Sequence, residues 1–294
     1  MAESAASGGA IRSSRGRWEI GRTRFSRLIM LWTLNACFLL FFLFPFFWLT
    51  TTALKSPDEV DTLPIRWLPS HLYGGNFQAV FGYLHFQTYL ANSVMVACST
   101  TGLSLALSAA AAYALAQLPL PAKRTLLVLV VSMVTISSVT LVPSLYLLFR
   151  DLGWLNTRKA LLAPYVATSL PFAIWILTNA FREIPGELSE QGEVDGCTPL
   201  QVCWRVILPL ASPTLLTAAL VIFLVAWNEY LFAMMFILDT HARIETAQVA
   251  LANAEGGWGV IAAASEILIA PIILFVLFFQ NRIVQGLTAG ALKG

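Results

Sequence analysis

LIMLWTLNACFLLFFLFPFFWLTTT, residues 28–52, carries no charged side chain and is followed by Lys55-Ser56-Pro57-Asp58. An α-helix needs roughly 20 apolar residues to cross about 30 Å of hydrocarbon, and this run is long enough. Six arginines precede it: Arg12, Arg15, Arg17, Arg22, Arg24 and Arg27. A cleaved leader is the rival reading. The run is too long for a leader's apolar region, and no small-x-small cleavage signal follows Thr52, so it reads as a retained first span.

Five further stretches read as spans: Thr88–Gln117, Thr125–Phe149, Ala160–Phe181, Val206–Leu238 and Gly259–Asn281. The 294 residues are 57% hydrophobic and only 12% charged, with a mean hydropathy of +0.73, which excludes an ordinary soluble domain. The expected fold is therefore an all-α integral membrane protein with six transmembrane helices. A helix–turn–helix loop on the cytosolic side joins the fourth to the fifth. Residues 1–27, rich in Ala, Ser, Gly and Arg, are expected as a disordered basic cytosolic tail, with the membrane domain over 28–284 and a cytosolic tail over 285–294.

An even number of spans puts both termini on one side, and the basic residues say which. With the N-terminal arginines in the cytosol, twelve Lys and Arg lie inside, including Lys123, Arg124, Arg182, Arg205, Arg282 and Lys293. Six lie outside: Lys55, Arg66, Arg150, Arg158, Lys159 and Arg243. That bias is the positive-inside pattern, with both termini cytosolic, although the third-to-fourth loop runs against it. Trp32, Trp48, Trp154, Trp204 and Trp258 fall near predicted span ends, where aromatic belts form. The net charge of +2 is small and its basic part sits at the N-terminus, which suits anionic lipid and gives no reason to expect nucleic acid.

Several function classes find no support in the motifs. Cys37, Cys98, Cys197 and Cys203 have no C-x-x-C spacing and read as packing residues. His71, His85 and His241 are scattered and suggest no metal site, and no nucleophile–base spacing points to an enzyme. No G-x-x-x-x-G-K-[ST] occurs, so the chain is expected to bind no ATP itself. Pro143, Pro164, Pro171, Pro213 and Pro271 fall inside predicted spans. There they mark either kinks where helices pack around a pathway or the prolines that membrane helices commonly carry. The connection from Ala53 to Gln87 is expected as an ordered surface loop with short helical turns, able to receive a partner.

The most informative polar segment is IPGELSEQGEVDGCTPLQVCWRVILPLASP, residues 184–213. Pro185 suits a first helical turn and Glu187, Glu190 and Glu193 follow it. Gly196 can close a helix in the left-handed conformation. Thr198, Pro199 and Gln201 then spell an N-cap, a first helical residue and a capping box. The result is helix, sharp glycine turn, second helix: either a tidy connection or a stiff elbow that passes force from a soluble partner into the membrane.

Glu190, five residues, Gly196, nine residues, Val206, one residue and then Leu208-Pro209 resembles the EAA loop of ATP-binding-cassette (ABC) importer permeases. Gln191 and Gly192 stand where that pattern has two alanines, Cys197 replaces another, Cys203 stands where Phe is common, and Val206 replaces Ile. Gly192 in place of Ala weakens a helix by roughly 1 kcal/mol. Asn92-Ser93, Ala112-Tyr113-Ala114-Leu115-Ala116, Leu170-Pro171-Phe172, AWNEYLF over 226–232 and QNRIVQGLTAGALKG over 280–294 extend the likeness. Together they narrow it to the maltose-type carbohydrate uptake family, MalG-like subunit.

The resemblance implies a transmembrane subunit of a bacterial cytoplasmic (inner) membrane importer that moves a sugar-like solute by alternating access, driven by a separate ATPase. It implies a second, MalF-like permease, a dimer of ATP-binding subunits that holds ATP and Mg, and an extracytosolic solute-binding protein. Glu190, Asp195, Gly196, Leu208 and Pro209 would couple to the ATPase, and Gly286, Leu287, Gly290 and Lys293 of the C-terminal tail would contact it. Trp227, Asn228, Glu229 and Tyr230 are the candidate solute-lining residues, because a carboxylate at membrane depth is costly and usually faces a cavity or a partner. Glu266 in the sixth span is a weaker candidate of the same kind. An ion-coupled secondary carrier is the alternative, since six helices with one or two buried carboxylates suit it as well.

Overall fold

A computed structural model describes residues 10–82, 84–239 and 244–291, with side chains described for 28–82, 84–239 and 244–280. Among the described residues there is no strand, and the regular structure is helical. Four helices are long and apolar enough to cross a membrane, and two bent pairs bring the number to six if each pair is one span.

The first span lies in α1 (Ala10–Ala53), which takes in residues 10–27, where the sequence suggests a disordered tail. Arginine is a good helix former and no proline interrupts residues 10–27, so a helix can propagate back from the apolar run. Residues 1–9 lie outside the described residues. Beyond α1, the connection to the second span folds as expected, with short helices α2 (Pro57–Val60) and α3 (Gly75–Gly82). Asn76 fastens it, its amide donating to the carbonyls of Ala53 and Lys55 at 2.8 Å each.

The second and fourth spans are α4 (Phe86–Ala116) and α7 (Arg158–Arg182), the most extensive helix pair in the fold. Small residues on α4, Ala97, Ala109 and Ala112, are buried and let the backbones approach. The sixth span opens α14 (Gly257–Ala291), which packs on α1 and on α11 (Ser212–Trp227). The apolar surface of α1 otherwise faces outward, with Phe41, Leu40 and Trp32 exposed.

Two expected spans are not single helices. The third breaks into α5 (Lys123–Ser132), continued by a turn through Thr135, and α6 (Ser138–Asp151), at 91° to each other. Pro143 lies within α6 and is not the break. Ile136 and Ser137 are extended, and Ser132 and Thr135 turn their hydroxyls back onto the carbonyls of Leu129 and Ser132 at 2.7 Å. Such back-bonding competes with the helix ladder.

The fifth span is not the continuous helix Val206–Leu238. It is preceded by α9 (Pro199–Val202), a π-helical turn (Cys203–Ile207) and α10 (Leu208–Leu210), and α11 then leaves at 89° after Ala211. Pro213 stands at the start of α11 and kinks nothing, since a missing N–H costs least in a first turn. The loop and the span are therefore a corner rather than a straight rod. At its other end α11 stops at Trp227, and α12 (Leu231–Phe236) begins after three residues.

Among the described residues three apolar clusters fill the interior. One joins the loop to α4 and α7 through Tyr113, Leu177, Phe181, Val202, Ile207 and Leu208. A second, around Tyr165, Phe223, Trp227, Phe232 and Phe236, surrounds the break in the fifth span. The third joins Ala53, Val80, Phe86 and Val260 at the end away from the loop, where α13 (Ala247–Ala252) also packs.

Candidate functional site

The polar loop folds as its caps dictate. α8 (Gly186–Val194) ends in a Schellman arrangement: Gly196 N–H donates to Glu193 O and Cys197 N–H to Gly192 O, both at 3.0 Å, with Gly196 at φ +84°. The next helix opens on a complete capping box. Gln201 N–H donates to Thr198 Oγ1 at 3.4 Å, and Thr198 N–H to Gln201 Oε1 at 2.8 Å. Each of the four bonds satisfies a helix-end group that would otherwise be orphaned, so the turn is stiff.

The same geometry accounts for Gly192. It is buried, and a Cβ there would come within 3.0 Å of Val202 Cγ2. The missing side chain lets α8 and α9 close on each other, which offsets the lower helix propensity of glycine. The elbow is tied to the membrane helices by Gln117 at the end of α4, whose amide donates to Phe181 O at 2.7 Å and Ile184 O at 3.2 Å. Its outer surface carries the exposed carboxylates Glu190 and Asp195 beside exposed Val194, Leu200 and Trp204. Val194 is 87% exposed.

At the break in the fifth span, Glu229 works as a cap. Its Oε1 accepts from Phe232 N–H at 2.8 Å and its Oε2 from Ala233 N–H at 3.3 Å, neutralising the start of α12. The same Oε2 accepts the Tyr165 hydroxyl from α7. Gln248 of α13 donates to Trp227 O, and Asn156 Oδ1 accepts from Leu238 and Asp239 N–H at 2.6 and 2.9 Å. The polypeptide is thus locally unwound yet held by three other segments, the condition under which non-helical backbone survives at membrane depth.

Residues 102–289 match the family described as the binding-protein-dependent transport system inner membrane component. The chain belongs to that family. It is 36% identical over 257 residues to the trehalose/maltose transport system permease protein MalG of Thermococcus litoralis, covering 86% of this chain and 92% of that one. It is 39% identical over 258 residues to the trehalose transport system permease protein SugB of Mycobacterium tuberculosis, covering 86% and 93%. The fold matches a solved bacterial ABC transporter involved in the import of the acidic polysaccharide alginate, with TM-score 0.74 at 22% identity, over 88% of this chain and 97% of that one. The protein is a MalG-like permease of an ABC importer, and none of these likenesses favours the ion-coupled carrier.

Within this permease the predicted residues separate into groups. Glu190, Asp195, Gly196 and Pro209 are exposed on or beside the elbow, whereas Leu208 is buried against the cluster beneath it. Asn228 and Tyr230 are exposed at the break, with the Asn228 amide donating to Leu224 O at 2.8 Å. Trp227 is 1% exposed and stacks on Phe223 with ring centres 5.7 Å apart, so in this conformation it is a core residue. Glu266 is half-buried within α14. Gly286, Leu287 and Gly290 lie on the α14 backbone, but their side chains, together with Lys293 and His241, fall outside the described residues.

The sequence pointed to none of Tyr165, Gln117, Gln248 or Asn156 as a site residue. Each acts across the chain, Tyr165 from 64 residues before Glu229, so no local spacing marks it. Asn92-Ser93 was visible only as a family motif. Here Asn92 donates to Glu245 O at 3.1 Å and Ser93 Oγ accepts from Ala247 N–H at 2.8 Å, pinning α13 to α4. Glu245 is buried in that joint, and burial raises its carboxyl above its ordinary value.

Proposed function

We propose that this permease forms half of a translocation pathway for a sugar or similar polar solute, opened alternately to each side by a separate ATPase. The observation that carries the reading is the elbow, a doubly capped helix pair with carboxylates and apolar side chains exposed together. An ATP-binding subunit seated there would move the α8–α9 unit as one body, because its turn is too constrained to absorb the motion. The corner at Ala211 would then turn that motion into a tilt of α11.

A MalF-like permease completes the pathway and a solute-binding protein delivers the solute at the face opposite the elbow. ATP and Mg belong to the ATPase dimer; this chain performs no covalent chemistry. Both termini and the elbow face the cytosol, the orientation that the bias of Lys and Arg favours. At the break in the fifth span, Asn228 and Tyr230 present an amide and an aromatic hydroxyl to the solute, while Glu229 holds the unwound backbone in shape. A sugar suits that pairing of hydrogen-bonding groups with an aromatic face.

Reconstitution of the permease pair with its ATPase and binding protein in vesicles tests the reading. Solute uptake should require ATP on the elbow side and persist when ionophores collapse proton and sodium gradients. Uptake that survives ATPase inhibition with an ion gradient intact would overturn it.

A further inference from the structure

A cavity of about 470 Å³ lies at the end of the fold away from the elbow. It is open at one side and lined by the last turns of the first span (Trp48, Leu49, Thr52), the connection after it (Lys55, Glu59, Asp61, Arg66) and the first turns of α14 (Trp258, Ile261, Ala262). Nothing in the transport reading uses it. Its lining is largely apolar, and its charged groups, two of each sign, all come from the connection.

Lys55 is the unusual member. It is 3% exposed, its ammonium lies 4.9 Å from the centre of the Trp48 ring, and it donates to the carbonyl of Arg66. An ammonium has three donors, and among the described residues no carboxylate lies within salt-bridge distance of it. A buried cation with neither a counter-ion nor a full set of acceptors is costly, and an anionic ligand in the cavity removes that cost. Glu59 is not that counter-ion. Its Oε1 is taken by Ser70 N–H at 2.8 Å, by the Ser70 hydroxyl and, at 3.5 Å, by Arg66, while its Oε2 is buried without a partner.

The surroundings say what kind of anion. Trp67 packs against Trp48 and Phe44, ring centres 5.7 and 6.3 Å apart, and Trp258 is 67% exposed at the cavity edge. Indoles clustered at the end of apolar spans are the mark of a membrane interface. Below them the surface of α1 is apolar and uncovered, with Phe44, Phe46 and Phe47 exposed. An anion with a long apolar attachment meets both halves of this site, and a free anion meets only one.

We infer that the cavity holds the phosphate-bearing headgroup of a phospholipid from the leaflet opposite the elbow. Its phosphate oxygens accept from Lys55 and Arg66, and its acyl chain lies along the aromatic face of α1. The site ties the first and sixth spans together through a lipid. It rests on the membrane placement of α1 and α14 and not on the identity of the transported solute.

The complete transporter, purified from membranes in mild detergent, carries the test through native mass spectrometry and phosphorus analysis of the extracted lipid. Wild type is expected to retain about one phospholipid per copy of this chain, with retention at least roughly tenfold lower in Lys55→Met. Trp258→Ser, an exposed change at the cavity edge, is expected to lower retention several-fold and carries the test if Lys55→Met fails to assemble. Co-purification of the ATPase and ATP-dependent uptake report separately on the transport reading. Equal retention in wild type and both variants would overturn the inference. So would release of the bound species by millimolar inorganic phosphate, which would mark a free-anion site, or recovery of a sugar in place of a lipid.

Discussion

The elbow and the break in the fifth span are both places where helices stop and start within a few residues, yet they are built from opposite materials. In the elbow every bond that shapes the turn lies within six residues of its partner: Gly192 with Cys197, Glu193 with Gly196, Thr198 with Gln201. At the break, the bonds that hold the chain come from α7, α13 and the turn before α7. The elbow's shape is held by its own bonds. The break is rigid only while its neighbours stay in place, so a rearrangement of helices reaches the backbone around Asn228 and Tyr230.

The largest effect should come from attacking the self-contained side of this contrast. Gly196 sits at φ +84°, where a β-branched residue is strained by about 1–3 kcal/mol, and it donates one of the two closing bonds. Gly196→Val is expected to leave the permease in the membrane but reduce stimulation of the ATPase by loaded binding protein to near the unstimulated rate. Stimulation that remains full would mean the turn is not the mechanical link.

Next is the long-range side. Hydrogen bonds to a charged group contribute roughly 1.5–3 kcal/mol each, so Glu229→Gln and Tyr165→Phe should each slow uptake by about tenfold while ATPase co-purification is unchanged. Because both changes alter the shared Tyr165–Glu229 bond, their losses should be less than additive, a coupling of about 1 kcal/mol or more in a double-mutant cycle. Strictly additive losses would show that Tyr165 and Glu229 act separately and that the break is held by other means.

A smaller effect sharpens the elbow's own packing. The family pattern has alanine where this chain has Gly192, and Ala improves helix propensity by roughly 1 kcal/mol. Here the added methyl meets Val202 at 3.0 Å, so overpacking of the order of 1–3 kcal/mol opposes the gain. Gly192→Ala should therefore lower the thermal stability of the solubilised transporter by a few degrees, and Val202→Ala added to it should restore part of the loss. A stabilised single variant would show that the elbow has slack its geometry does not reveal.

What could be read in the sequence follows the same division. Thr198, Gln201 and Gly196 announce their roles because capping chemistry is local, and apolar runs announce spans because every residue in a bilayer meets the same solvent. Hydropathy is blind to direction, however, so it merged α5 with α6 and ran the elbow straight into the fifth span. The 91° and 89° bends are invisible to composition. Glu229 was singled out for its cost at membrane depth, but its job as a cap depends on Tyr165 and on where α12 begins, neither of which its neighbours in sequence specify.

The smallest expected effect lies at the elbow's outer surface, where the contrast predicts tolerance. Glu190 is exposed and makes no bond that shapes the turn, so reversing its charge leaves the Schellman closure and the capping box intact. A charge at the rim of a partner surface changes association more than structure, typically by about 1 kcal/mol or less where it stays in contact with water. Glu190→Lys should weaken recovery of the ATPase subunit by a few-fold at low salt, less at high salt, with unchanged thermal stability of the permease. A loss of stability would place Glu190 inside the elbow's architecture, and identical recovery at every salt concentration would remove it from the docking face. Either result would redraw the line between the part of the elbow that sets its own shape and the part that meets its partner.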